Sequence, residues 1–214
     1  MLIRNCLTPR NELETVCLDT SVEKTLERLK EYRLESIPVL DRQKRFAGIT
    51  GYGCIFKAWV FQGEPDGFFT AQQSISSTVQ TVPVLTMDSD FEETLPIMVR
   101  YPFVPIVEDK GTFAGIVKIS AIESALKCTF GYGMKGTRFL IGVFIDMPHV
   151  LEELLDSIKS FGVNIISIAS FDAGNTAARR ILLKVSPSPY DEQIVQRLTE
   201  KGFRVINVHS DHRR

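Results

Sequence analysis

Apolar and polar positions along the first 130 residues follow one order, and they follow it twice. Residues 16 to 60 read V-C-L-D-T-S-V-E-K-T-L-E-R-L-K-E-Y-R-L-E-S-I-P-V-L-D, then F-A-G-I-T, then C-I-F-K-A-W. Residues 84 to 127 read V-L-T-M-D-S-D-F-E-E-T-L-P-I-M-V-R-Y-P-F-V-P-I-V-E-D, then F-A-G-I-V, then A-I-E-S-A-L. An internal repeat fixes the architecture before any single element is assigned. Each copy predicts a short strand, an amphipathic helix, a Pro-led strand, a return strand ending in F-A-G-I, and a second helix. In copy one, Thr20 and Glu23 have capping-box spacing, and Val22, Leu26 and Leu29 recur at helical spacing. The β-branched runs Ile37 to Leu40 and Val104 to Val107 precede polar turns, and Phe46 and Phe113 open the return strands. Pro96 and Pro102 are expected to distort the first helix of copy two. The Ser-, Gln-, Gly- and Thr-rich stretch from Gln62 to Thr81 reads as a connector.

From Thr137 the pattern becomes β-α-β-β-α-β. Phe139 to Ile145 reads as a strand. Asp146 is placed to cap a helix whose Val150, Leu151, Leu154, Leu155, Ile158 and Phe161 form a broad apolar face, with Gly162 as its stop. Val163 to Phe171 and Arg180 to Val185 read as strands around a turn at Asp172 to Asn175. A helix carrying Ile194, Val195 and Leu198 ends at Gly202, before a last strand over Phe203 to Val208. Two βαβ units of this kind predict a ferredoxin-like fold. The chain is therefore expected to be α+β, with copy one at 1–60, a connector at 61–83, copy two at 84–130, a hinge at 131–136, the second domain at 137–209 and a tail at 210–214.

Composition narrows the function. Lys and Arg number 25 against 26 Asp and Glu, so the net charge of −1 gives nucleic acid or an anionic membrane no purchase. No apolar run approaches the roughly 20 residues that span a bilayer, and the amino end lacks a signal-peptide core, so a cytoplasmic protein is expected. The four cysteines form no C-x-x-C pair and are expected as free thiols. Three histidines, two of them in the last six residues, leave little material for acid-base or metal chemistry. The sequence contains no G-x-S-x-G, P-loop or H-E-x-x-H, so no enzyme is expected. Gly131-Tyr-Gly133-Met-Lys-Gly136 matches G-x-G-x-x-G, but it follows a helix and precedes a strand, the reverse of the dinucleotide-binding context. It reads as a flexible hinge. The tail His209, Asp211 and His212 is expected to be solvated, with no metal held.

The twin units, with their S-I-P-V-L-D and F-V-P-I-V-E-D strands, resemble a tandem pair of CBS domains. The stretch D-M-P-H-V-L-E-E-L-L-D-S-I-K-S-F-G-V-N-I is similar to an ACT domain, and the combination resembles the acetoin-utilisation B type of bacterial protein. The first resemblance implies an adenosine-containing ligand such as AMP, ADP, ATP, NAD or S-adenosylmethionine in clefts between the copies, with no cofactor certain. The second implies dimerisation, or a small molecule bound at the turn Asp146, Pro148, His149 and Val150. The ligand-binding residues implied are Ser36, Ile37, Pro38, Gly48, Ile49, Gly51 and Cys54 in copy one, and Phe103, Val104, Pro105, Gly115, Ile116, Lys118 and Ala121 in copy two.

Two features depart from the family patterns. CBS copies that bind nucleotide carry a hydroxyl and, three residues on, an Asp that holds the ribose; here those places hold Gly51 and Cys54, then Lys118 and Ala121. Neither a thiol nor a methyl replaces a carboxylate as acceptor. Lys118 admits two readings, a phosphate contact or a solvated lysine at a strand end. His149 stands where the ACT turn has glycine. The reading is a cytoplasmic, non-catalytic sensor, a homodimer or larger, acting on a regulated partner; the alternative is a ligand-free scaffold.

Overall fold

The structure, a computed structural model, describes residues 2–61, 71–144, 148–172, 174 and 178–211. Asp146 and His212 lie outside the described residues, as does part of the turn expected at Asp172 to Asn175. The chain divides into two compact units, Met1–Ser124 and Ala125–Arg214.

In the first unit, copy one comprises β2 (Val16–Cys17), α1 (Val22–Glu31), β3 (Ser36–Leu40), β4 (Phe46–Gly51) and α2 (Tyr52–Phe61). Copy two repeats the order with β5 (Leu85–Thr86), α3 (Thr94–Met98), β6 (Phe103–Val107), β7 (Phe113–Lys118) and α4 (Ile119–Thr129). The amphipathic spacing of α1 places Val22 and Leu29 in a core with Val16, Ile37, Val39, Ile55 and Ile75, while Leu26 packs at its margin. The cap differs from the expected Thr20–Glu23 box. Ser21 is the N-cap and accepts from Lys24 N–H, because its extended backbone aims the hydroxyl at the first turn. Thr20 Oγ1 instead accepts from Cys17 N–H, and the Glu23 carboxylate accepts from Gln72 Nε2. In copy two the corresponding helix breaks into a 3-10 turn, Phe91–Glu93, followed by the five-residue α3 containing Pro96. Asp90 N–H donates to the Glu93 carboxylate at 2.9 Å, so reciprocal capping chemistry sits in this copy.

The leading segment of each copy crosses to the sheet of the other. A strand ahead of copy one, β1 (Leu7–Pro9), pairs with β7, giving the order β1-β7-β6-β5. Gln80, ahead of copy two, exchanges two backbone hydrogen bonds with Ile49 on β4, at the edge of the sheet β2-β3-β4. This crossing explains the glycine of each F-A-G-I. A Cβ on Gly48 would strike the Gln80 carbonyl and Val79, and one on Gly115 would strike the Thr8 carbonyl. The start of the same strands forms the joint: Phe46 stacks on Phe113 with centroids 5.5 Å apart, and Phe113 N–H donates to Lys44 O. The expected connector is correspondingly structured over its described part. Residues Ile75–Thr78 form a 3-10 turn, and Ile75 and Val82 are buried.

The second unit contains β8 (Thr137–Phe144), α5 (Val150–Lys159), β9 (Ile165–Asp172), β10 (Ala178–Val185), α6 (Asp191–Glu200) and β11 (Arg204–Ser210). Its antiparallel order β11-β8-β10-β9 is the ferredoxin-like arrangement. Phe139, Ile141, Ile181 and Leu183 pack against Leu154 and Ile158 of α5 and Ile194 and Leu198 of α6. The apolar face of α5 is narrower than expected. Leu151 and Leu155 are exposed, because the turn of helix that buries Leu154 and Ile158 points them away from the sheet. Gly162 and Gly202 end their helices with positive φ, as the stop signals require. The unit boundary falls inside α4, ahead of the glycine run. Both ends of that run are held within the second unit: Gly131 O accepts from Lys184 Nζ, Asp211 N–H donates to Gly136 O, and a Cβ on Gly131 or Gly136 would strike Ile166 or the Val185 carbonyl, whereas Gly133 stands in open space.

Candidate functional site

The strand residues singled out from the sequence are mostly core. Ile37, Pro38, Gly48, Ile49 and Gly51 are buried in copy one, as are Phe103, Val104, Pro105, Gly115 and Ile116 in copy two; Ser36 is half-buried. Gly51 has a packing reason of its own. A Cβ there would strike the Glu35 carbonyl and the Ser36 backbone, so no hydroxyl-bearing residue fits. Lys118, its counterpart, is exposed at the end of β7, and Ala121 is half-buried in the first turns of α4.

Cys54, at the start of α2, lines a cavity of about 440 Å³ with Lys57, Ala58, Ser77, Val79 and Gln80. The crossing builds this cavity: α2 brings Cys54 and Lys57, one helical turn apart, and the leading segment of copy two brings Ser77 to Gln80. Cys54 Sγ donates to Gln80 Oε1 at 3.7 Å, so an amide oxygen stands beside the thiol. Burial pushes the Cys54 thiol up, against the smaller opposing pull of Lys57, and keeps it neutral. Beneath the cavity Thr50 and Thr78 share a buried hydroxyl contact at 2.7 Å, and Thr78 also donates to Ile75 O.

Lys57, Ser77 and Gln80 were absent from the sequence reading. Ile3 and Ile75 are each fully buried in a 3-10 turn ahead of a crossing segment, so copy two begins near residue 75 rather than at 84.

Of the turn residues of the second unit, Pro148 and His149 are exposed and Val150 is partly buried. His149 adopts φ 63° and ψ 8°, the left-handed conformation that glycine favours, and its Nδ1 lies 3.1 Å from a Glu152 carboxylate oxygen. Among the described residues no His, Cys, Asp and Glu cluster is arranged to hold a metal, and no helix is long and apolar enough to cross a membrane.

Three solved structures share the fold of part of this chain. A CBS domain protein from Streptococcus pneumoniae is 24% identical with a TM-score of 0.53, over 58% of this chain and 86% of that one. A Geobacillus kaustophilus protein is 22% identical with a TM-score of 0.52, over 59% and 96%. The CbpB protein of Listeria monocytogenes, solved in complex with c-di-AMP, is 22% identical with a TM-score of 0.51, over 58% and 93%. No curated protein matches the chain. Residues 4–58 and 75–127 match the CBS domain, and the second match opens where the crossing segment does. With both copies matched over just over half its length, the chain belongs to the CBS-domain family.

Proposed function

We propose that the chain is a non-catalytic regulatory protein whose CBS pair takes an adenosine-containing ligand in the cleft of copy one. The observation that carries this reading is the cavity between α2 and the segment Ser77 to Gln80. Its size lies in the range of small-molecule sites. Lys57 supplies a cation for phosphate, Ala58 and Val79 an apolar wall for the base, and the Gln80 amide and Ser77 hydroxyl partners for a sugar. The missing carboxylate makes the ribose contact weaker. Family membership and the c-di-AMP complex of the Listeria CbpB protein support the ligand class. AMP, ADP, ATP, NAD, S-adenosylmethionine and c-di-AMP all belong to it.

The ferredoxin-like topology and the left-handed backbone of His149 support an ACT reading of the second unit, for dimerisation or small-molecule sensing in an acetoin-utilisation B type of protein. Self-association is further supported by the outer face of α2, where the Phe56 and Trp59 rings lie tilted against each other with centroids 5.8 Å apart while both stay exposed. The four cysteines, none of them in a disulfide, suit a cytoplasmic setting. A ligand-free scaffold is the second reading, favoured by Lys118 and Ala121 at the copy-two positions.

Calorimetry with AMP, ATP, NAD and c-di-AMP separates the two. Wild type is expected to bind at least one, Cys54→Asp to bind it about 1 kcal/mol more tightly, and Lys57→Ala to weaken ATP more than AMP. No heat with any of them, in wild type and Cys54→Asp alike, would leave the scaffold.

A further inference from the structure

We infer that the open face of the second unit's sheet binds a small organic anion with an apolar body, a carboxylate on a ring or short chain. Strand alternation sends Phe139, Ile141, Ile181 and Leu183 toward α5 and α6, and the residues between them onto the opposite face. Those residues form rungs. Arg138 on β8 is paired with Lys184 on β10 and with His209 on β11. In the next rung Leu140 is paired with Leu182, and Leu182 with Ala169 on β9. A row of basic groups thus runs beside a row of aliphatic ones.

A cavity of about 980 Å³ opens on this face, within the size range of ligand sites. Arg138, Lys135 and Lys184 line its basic side, and Leu182, Phe171 and Met134 its apolar side. Lys184 is only 8% exposed, and its ammonium carries three donors. It donates to Gly131 O at 3.0 Å and stands 3.6 Å from an Asp211 oxygen. The other Asp211 oxygen lies 3.1 Å from His209 Nε2. One carboxylate is therefore shared, and Arg138 and Lys135 have no carboxylate partner among the described residues. The surplus is positive and calls for an anion, which an Arg fork grips in two parallel hydrogen bonds. Phe171 and Met134, both largely exposed, supply contact area for an apolar body. A second copy of this face is a poor occupant, because isologous packing would set one basic rung close to the other.

Calorimetry on the full chain with 3-phenylpropionate, the neutral 3-phenylpropanol and acetate tests the site. The acid is expected to bind, the alcohol to bind about tenfold more weakly or worse, and acetate not to register. Arg138→Met is expected to remove the preference for acid over alcohol, and Phe171→Ser to weaken both alike. Saturating AMP should leave these affinities unchanged, so failure here is separable from failure of the nucleotide cleft. Lys135→Met, at an exposed position, carries the same expectation as Arg138→Met should that variant not fold. Absent heat with the acid, equal affinity for acid and alcohol, or retained preference in the folded basic-residue variants would overturn the proposal. So would dissociation of an oligomer by Phe171→Ser in sedimentation, which would make the face an interface.

Discussion

The two CBS copies share their strands and their glycines but not their polar groups. In copy one the crossing segment brings Thr78 to Thr50 and Gln80 to Cys54, with Lys57 one turn further along α2. In copy two the register β1-β7 sets Leu7 against Val117 and Thr8 against Ile116, and the helix positions hold Ala121 and Ser124. The entry helices diverge in the same sense: α1 is ten residues with a serine cap, whereas α3 is five residues containing a proline. A duplicated frame thus tolerates loss of chemistry in one half, because the backbone crossing that holds the halves together depends on glycines and buried isoleucines rather than on cleft side chains.

The largest effect should come from the segment whose composition reads as a linker. Ile75 is fully buried, so Ile75→Ala is expected to cost about 2–5 kcal/mol in chemical denaturation, as much as Ile3→Ala at the equivalent place in copy one's leader. A cost below about 0.5 kcal/mol would mean that the segment is a surface loop. Next, Gly48→Ala and Gly115→Ala should each cost about 1–3 kcal/mol, since the new methyl meets a crossing carbonyl in both copies. Unequal costs would show that one crossing is looser than the other. Thr50→Val converts copy one to the Val117 pattern and should cost about 1 kcal/mol, because Thr78 keeps its bond to Ile75 O.

The smallest effect concerns pH. The Asp41 carboxylate accepts from Arg45 N–H, from the Arg45 side chain and from Gln43 N–H, and these bonds hold its pKa below the usual value. A group depressed on folding stabilises above its unfolded pKa, and that contribution disappears as pH falls through the folded pKa. Asp41→Asn should therefore lower the melting temperature slightly at pH 7 and leave it unchanged at strongly acid pH. An equal shift at both pH values would assign the effect to something other than charge.

The repeat, the strands and the ferredoxin-like order were legible because each rests on local periodicity. The crossings were not, since β1 is three residues long and Gln80 meets β4 through a single bridge, and neither leaves a pattern in its own neighbourhood. For the same reason Ser77 and Gln80 are not legible as site residues, whereas Lys57 lies one helical turn beyond Cys54, which the repeat does mark. Adjacent hydroxyls hid the cap, because Thr20 and Ser21 both satisfy the composition rule and only backbone conformation chooses between them. At Gly51 the sequence showed a lost hydroxyl, whereas the structure shows a position too close to Glu35 to hold one.

The Cys54 thiol reports directly on the nucleotide cleft proposed for copy one. Alkylation by iodoacetamide, followed site by site by mass spectrometry, should proceed more slowly at Cys54 than at exposed Cys128 even without ligand, because burial keeps the Cys54 thiol protonated. A saturating adenosine nucleotide that gives heat in calorimetry should slow Cys54 further and leave Cys128 unchanged. Binding heat with no change in the Cys54 rate would contradict the claim and place the ligand elsewhere.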